Sequence, residues 1–383
     1  MEILKRNVEQ IITEEEFQKK LRSGNQLRIK HGVDATSTLL HIGHAVNYWK
    51  MREFQELGHK VVFLIGDFTT QIGDPTGRSK TRPDIPRKVI SENAKRFLNQ
   101  ATKILINKPN LLEVRRNSEW YDKMRLSDFI ALLRKVTHAR LIERDMFQAR
   151  IKNNDEIYEH EIVYPVLQAY DSVAIKSDMT IIGTDQLFNE LLGRRYQEIF
   201  GQKPQTIITT SITPGLDGKE KMSKSLGNFV AISDLPKEKF GKIMTIPDNL
   251  IESYLKVYTR LSFQEISEIV KQKPNEAKKR LAYEIVNIYH REKKAKNAKE
   301  SFEKIFSKRE APEDLKIYRA KSGEKWIDFL VRESLAKSKT EAKRLIAGGG
   351  VDFGGEKVAN SGEKITKNGT AKIGKYKFIR IAV

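Results

Sequence analysis

Gln26-Leu-Arg-Ile-Lys-His-Gly-Val33, His41-Ile42-Gly43-His44 and Lys60-Val-Val-Phe-Leu-Ile-Gly66 are the stretches whose reading decides the fold. The first alternates as a strand does. From His41 the chain reads as a helix that ends at Gly58. The third is a continuous apolar run, as expected of a parallel strand covered on both faces. The same strand, helix, strand order returns at Met179-Thr-Ile-Ile-Gly183, the helix after Asp185, and Thr206-Ile-Ile-Thr209. This alternation predicts an α/β domain with a Rossmann-like parallel sheet.

Outward from these stretches, residues 87–178 read as a mostly helical insertion between two halves of the sheet. A helical, charged region follows, punctuated by Pro247, Pro274 and Pro312. Composition shifts at Lys316–Gly323. Two short helices, Lys325–Glu333 and Ser338–Ala347, then precede a Gly348-Gly349-Gly350 turn and short strands. The expected division is a catalytic domain over 1–235 with its insertion at about 87–178, an α-helical domain over 236–315, and a small α+β domain over 316–383.

The 383 residues are enough for two or three domains. No apolar run is long enough to span a bilayer. Met1-Glu-Ile-Leu-Lys-Arg-Asn carries no apolar stretch with a cleavage site, so a cytoplasmic protein without a membrane partner is expected. The absence of cysteine excludes disulfides, thiolate metal sites and a cysteine nucleophile. Net charge is +20, and residues 316–383 hold sixteen Lys/Arg against seven Asp/Glu. That local excess points to a module that binds a polyanion, although a general lysine bias also contributes charge of this kind.

His41 and His44 stand where a strand gives way to a helix, and a helix N-terminus suits an anion. Gly43 permits close backbone approach. Taken alone, His-x-x-His is more often a surface pair or half of a metal site. Far downstream, Lys221-Met222-Ser223-Lys224-Ser225 offers two ammonium groups flanked by hydroxyls. A triphosphate held between the two segments would be surrounded by donors. The intervening Gly66-Asp-Phe-Thr-Thr-Gln-Ile-Gly-Asp-Pro-Thr-Gly-Arg-Ser79 lacks the glycine spacing and Gly-Lys pair of a P-loop. Tyr164, Gln168 and Asp171 follow at spacings of four and three, one face of a helix. Without further context that face is an ordinary polar stripe.

With these residues in order, the chain resembles the bacterial tyrosyl-tRNA synthetases, class I aminoacyl-tRNA ligases, in the branch with an intact KMSKS segment. The likeness rests on the two segments above, Gly73-Asp74-Pro75, Tyr164 to Asp171, Gly183-Thr-Asp-Gln186 and the basic tail. It implies attack of a tyrosine carboxylate on the α-phosphorus of ATP, then transfer of tyrosyl to a ribose hydroxyl of tRNA(Tyr). It implies that Thr36, His41 and His44 contact the nucleotide, and that Arg78, Arg82, Lys221 and Lys224 grip the leaving pyrophosphate. Asp34, Gly43, Gly183 and Asp185 join the ATP contacts, with Gly183 and Asp185 at the ribose; a helix cap is the plainer role for Asp185. Asp74, Tyr164 and Gln168 would hold the substrate ammonium. Asp171 would accept from its phenol, with Gln186 nearby. Mg²⁺ accompanies the ATP, no protein metal site is implied, and a homodimer is expected.

One position departs from the pattern. Many members carry tyrosine where this chain has Lys30 and cysteine where it has His31, while the KMSKS branch also carries lysine. Lys30 shares a strand face with Asp34; its role is left open between a place at the second phenol contact and pairing with a carboxylate such as Asp34 or Asp171. In the tail, Lys337, Lys339, Lys343 and Arg344 suit phosphate contacts in a small RNA-binding module of ribosomal-protein type. Three other readings stand beside this one: a tryptophan–tRNA ligase, a small-molecule adenylyltransferase, and a non-catalytic RNA-binding relative.

Overall fold

The computed structural model describes residues 6–36, 38–76, 85–224, 226–306, 315, 317–374 and 377–383. Arg78, Arg82 and Ser225, named above, lie outside them.

Six strands form the first sheet: β1 (Val8–Ile12), β2 (Arg28–Val33), β3 (Lys60–Ile65), β4 (Leu112–Arg116), β5 (Met179–Gly183) and β6 (Thr206–Thr210). Their spatial order is β1-β6-β5-β2-β3-β4. All neighbours are parallel except β1, which runs antiparallel to β6. The chain winds outward from β2 through β3 to β4, then restarts at β5 and winds the other way to β6. The order therefore reverses between β2 and β5. Beyond the carboxyl ends of strands at such a reversal, the departing loops diverge and leave a crevice.

The structure adds two strands to the sequence reading. The stretch 87–178 is mostly helical but contains β4: Leu112–Arg116 pairs along its length with β3. Its Leu-Glu-Val-Arg-Arg pattern alternates as an edge strand should. The N-terminal edge strand β1 was not read from the sequence at all. It has five residues, two of them exposed and none fully buried.

Strand alternation separates two cores. Ile29, Val61, Phe63, Ile65, Ile181 and Ile208 point to one face, where Tyr48, Met51 and Phe54 of the Ile42–Glu56 helix cover them. Val62 and Leu64 point to the other, against Ile175 and Trp120. On that side the Glu159–Ile175 and Leu187–Ile199 helices bury Ile162, Val166, Ala169, Leu192 and Tyr196. Lys30 stands on β2 in register with Val62. Period two sends it to this second face, beneath both helices.

The chain divides into two compact units: Met1–Leu235 with Lys242–Tyr289, and Pro236–Gly241 with His290–Val383. The helices Ile251–Tyr258 and Phe263–Val270 thus cluster with the first unit. The second unit contains a five-stranded sheet of β7 (Ile317–Arg319), β8 (Val351–Phe353), β9 (Glu356–Lys357), β10 (Gly369–Ile373) and β11 (Lys377–Ala382), in the order β7-β11-β10-β8-β9. The Trp326–Arg332 and Lys339–Ala347 helices pack on it through Trp326, Phe329, Leu330, Ala342 and Ile346. Ser338 caps the second of these helices by accepting from Glu341 N–H at 3.2 Å. Lys337, Lys339, Lys343 and Arg344 are all exposed. No helix among the described residues is long and apolar enough to cross a membrane.

Candidate active site

The crevice at the strand reversal holds two adjoining cavities. The outer one, about 630 Å³, is lined by Thr36, His41, Gly43, His44, Gly183, Asp185, Gln186, Lys221 and Lys224, among others. The inner one, about 290 Å³, is lined by Lys30, Asp34, Asp74, Tyr164, Gln168, Asp171, Gln186 and Glu190, among others. Thr36, His44, Gly183, Gln186 and Lys224 border both. All described candidates from the sequence thus converge on one crevice, with one change of place. Asp34, grouped above with the nucleotide contacts, faces the inner cavity, where Tyr164 Oη donates to it at 3.1 Å and Thr69 Oγ1 at 2.9 Å.

The histidine segment pairs through its backbone with the stretch that follows the lysine-bearing loop. Ile42 N–H donates to Val230 O at 3.0 Å, and Ile232 N–H to Leu40 O at 2.9 Å. The lysine-bearing loop is tied down by Asn228, whose Oδ1 accepts from Ser223 N–H and whose Nδ2 donates to Asp217, both at 2.8 Å. Met222 is buried beneath the loop. A methyl group built on Gly43 would sit 2.9 Å from His41 Nδ1 and 3.7 Å from Met222 Sδ. Glycine is needed here to make room for the imidazole.

The two imidazoles lie with centroids 3.7 Å apart. His44 Nδ1 accepts from His41 N–H at 3.3 Å, which leaves the His44 proton on Nε2 as a donor. Burial, then the charges of Lys224 and Lys221, lower the His41 pKa to about 3. Burial and its neighbours lower His44 well below the usual histidine range. Both rings are therefore neutral donors at neutral pH. Lys224 stands with Nζ 5.5 Å from the Phe97 ring centroid, and burial lowers its pKa to about 8. Lys221 is exposed and lies 3.5 Å from Asp185 Oδ2. Asp185 sits in a 3₁₀ turn, Thr184–Gln186, that Gly183 caps without a side-chain bond, so a cap is not its role.

At the closed end of the inner cavity, Asp171 accepts from Trp120 Nε1 at 3.1 Å and Asn117 Nδ2 at 3.3 Å. Burial raises its pKa to about 7, opposed first by the charge of Lys30 and then by bonds from Tyr121, Asn117 and Trp120. Gln186 Nε2 donates to Asp74 Oδ2 at 2.9 Å, and Asn189 Nδ2 joins Gln186 to Gln168 at 3.0 and 2.8 Å.

Lys30 does not pair with Asp34 or Asp171. Its Nζ lies 2.9 Å from Glu190 Oε1, 2.8 Å from Glu190 Oε2 and 2.7 Å from Ser172 Oγ. Glu190 went unnoticed in the sequence, although Gln186 and Glu190 stand four apart on one helical face, the same signal that singled out Gln168 and Tyr164. Asn117 and Trp120 carried no such signal, because they come from a short turn.

The family model for "tRNA synthetases class I (W and Y)" matches residues 22–307. The chain is 46% identical to a tyrosine–tRNA ligase of Thermotoga maritima over 390 aligned residues, covering 100% of this chain and 97% of that one. It is 47% identical to a tyrosine–tRNA ligase of Aquifex aeolicus, covering 100% and 98%. In fold it is similar to a C-terminally truncated mitochondrial tyrosyl-tRNA synthetase of Aspergillus nidulans, with a TM-score of 0.65 at 22% identity over 80% of this chain and 93% of that one. It is likewise similar to a tyrosyl-tRNA synthetase of Archaeoglobus fulgidus complexed with L-tyrosine, with a TM-score of 0.61 at 21% identity over 78% and 98%. With a donor-lined outer cavity joined to a carboxylate-rich inner one at a strand reversal, and a family model matched over most of its length, the chain belongs to the class I tRNA synthetases of the tryptophan and tyrosine type.

Proposed function

We propose that this chain is a tyrosine–tRNA ligase that activates tyrosine with ATP and transfers it to tRNA(Tyr). The observation that carries this reading is the union of the two cavities, with the histidines and lysines around the outer one and Tyr164, Gln168 and Asp171 on one helix face in the inner one. Tyrosine enters with its phenol toward Asp171 and its ammonium among Asp34, Asp74, Tyr164 and Gln168. Its carboxylate then faces the α-phosphorus of ATP. Attack forms the carboxyl–phosphate bond and expels pyrophosphate. His41 and His44 donate neutral N–H groups to the phosphates, while Lys221 and Lys224, with Arg78 and Arg82, neutralise the leaving group. Gly183 and Asp185 receive the ribose. No protein nucleophile is involved; positioning and charge stabilisation carry the step. A terminal ribose hydroxyl of the tRNA then attacks the tyrosyl carbonyl and releases AMP.

Phenylalanine would leave the buried Asp171 carboxylate without its phenol donor, which is costly. Among the described residues no group of three or more His, Asp or Glu suited to a metal stands together. Mg²⁺ that travels with ATP is held chiefly by phosphates and water, and no step above is routed through it. The exposed Leu126, Ile130, Ile151 and Tyr158 support a homodimer formed through the helical stretch before the Glu159–Ile175 helix.

The deciding experiment is ATP–pyrophosphate exchange with each of the twenty amino acids. Exchange with tyrosine alone is expected. Exchange with tryptophan instead sinks the assignment.

A further inference from the structure

The inner cavity contains an ion pair that the reaction above does not use. Lys30 is 1% exposed and Glu190 2% exposed. A buried charge without a partner is strongly destabilising, and a buried pair contributes little net stability compared with an apolar pair of the same volume. Packing gives no reason for this pair, so its neighbours must. Glu190 Oε1 takes the amide of Gln168 at 2.9 Å, and its Oε2 takes the amide of Gln205 at 2.7 Å. Gln168 is thereby turned so that its oxygen accepts from Asn189 at 2.8 Å. Asn189 reaches Gln186, and Gln186 reaches Asp74. One end of the tyrosine cavity is thus oriented from Glu190. The other end is Asp171, which lines the same cavity as Lys30 and whose carboxylate form the nearby Lys30 charge favours.

We propose that Lys30 and Glu190 are a positioning unit for tyrosine: Glu190 orients Gln168, and Lys30 supplies the buried positive charge that holds Asp171 as a carboxylate. This rests on the reading of Asp171 as the acceptor of the substrate phenol. Asp34, Asp74, Glu190, His31, His44 and Lys224 line the same cavity; the ionisable groups that act on Asp171 directly are Lys30 from β2, Tyr121 from the turn after β4 and Tyr164 on its own helix. Lys30 is the cation among them. Both Asp171 oxygens already accept an N–H, so a proton on this carboxyl would oppose a donor or compete with the phenol for the cavity. Tyrosine binding therefore weakens as Asp171 protonates, and removing Lys30 makes that happen at higher pH.

The test is the pH dependence of the tyrosine KM in pyrophosphate exchange by the full chain, for Lys30→Met, Glu190→Gln and the double variant Lys30→Met/Glu190→Leu. Lys30→Met is expected to move the acid limb of tyrosine binding to higher pH. Glu190→Gln leaves Lys30 uncompensated and moves it lower. The double variant replaces the pair by apolar groups of similar size and leaves no unpaired charge, so its thermal midpoint falls less than that of Lys30→Met, although the Gln168 and Gln205 amides lose their acceptor. It raises the tyrosine KM by about tenfold or more, the loss of a hydrogen bond to a charged group, with the ATP KM unchanged. If Lys30→Met does not fold, Glu190→Gln and the double variant still decide. Acid limbs that stay in place in folded variants overturn the proposal. Asp171→Asn separates the two levels. A tyrosine KM that ignores Asp171→Asn removes the phenol assignment and the proposal with it. A KM that responds to Asp171→Asn, with acid limbs unmoved by the pair, removes only the role of Lys30 and Glu190.

Discussion

Lys224 borders both cavities, and burial brings its ammonium down to a pKa of about 8. A donor that meets the phosphates only as charge develops should matter for rate more than for binding. Lys224→Ala is expected to slow adenylate formation by about 10²- to 10³-fold with tyrosine affinity nearly unchanged, as read by single-turnover kinetics and by equilibrium binding. Equal losses in both would contradict a transition-state role. Gly43→Ala acts at the same place by another route. Its methyl group would press on His41 Nδ1, and the ring must turn away from the phosphates. Exchange activity should fall while circular dichroism stays unchanged. His31, His41 and His44 have lowered folded-state pKa values, with burial the first cause in each. The unfolded chain therefore takes up protons first as pH falls below about 6.5, and stability drops with it. The urea midpoint should be lower at pH 5 than at pH 7.

At the scale of elements, the site depends on how closely two helices approach. A methyl group on Gly193 of the Leu187–Ile199 helix would meet Ser172 Oγ at 2.9 Å and Gln205 Nε2 at 3.0 Å. Both atoms belong to the network around Lys30 and Glu190. Gly193→Ala is expected to cost about 1–3 kcal/mol of stability by overpacking, measured by denaturant unfolding, and to raise the tyrosine KM more than the ATP KM. A rise confined to ATP would place the helix contact away from the inner cavity. The elements themselves were largely legible in the sequence. β3 and β5 announce themselves as apolar runs because both their faces are covered, and the Ile42–Glu56 helix by its start at the histidines. β1 and β4 are less legible because, as edge strands, they carry polar and charged residues on the side that is not fully covered, so neither reads as an apolar run.

For the whole molecule, the proposed function puts activation and RNA capture in different parts of the chain. The two cavities are lined within the first compact unit, and the exposed lysines of the Lys339–Ala347 helix belong to the second. Deleting residues 318–383 is expected to spare pyrophosphate exchange and to weaken tRNA charging. Full-length charging should also be steeply salt-dependent, because phosphate contacts release counterions. Loss of exchange on deletion would make the second unit a structural requirement instead. The sequence by itself supplied the elements of the proposed chemistry: histidines at a helix start, lysines in a distant loop, a polar helix face and a basic tail are patterns within single elements, set by local periodicity and side-chain type. Only the tertiary structure decided which elements face one another. It gave Lys30 to Glu190 rather than to Asp34 or Asp171, brought Asn117 and Trp120 onto Asp171, and turned Asp34 toward Tyr164. Periodicity states which side of a strand or helix a residue occupies, whereas the reversal of strand order between β2 and β5 states what it meets there.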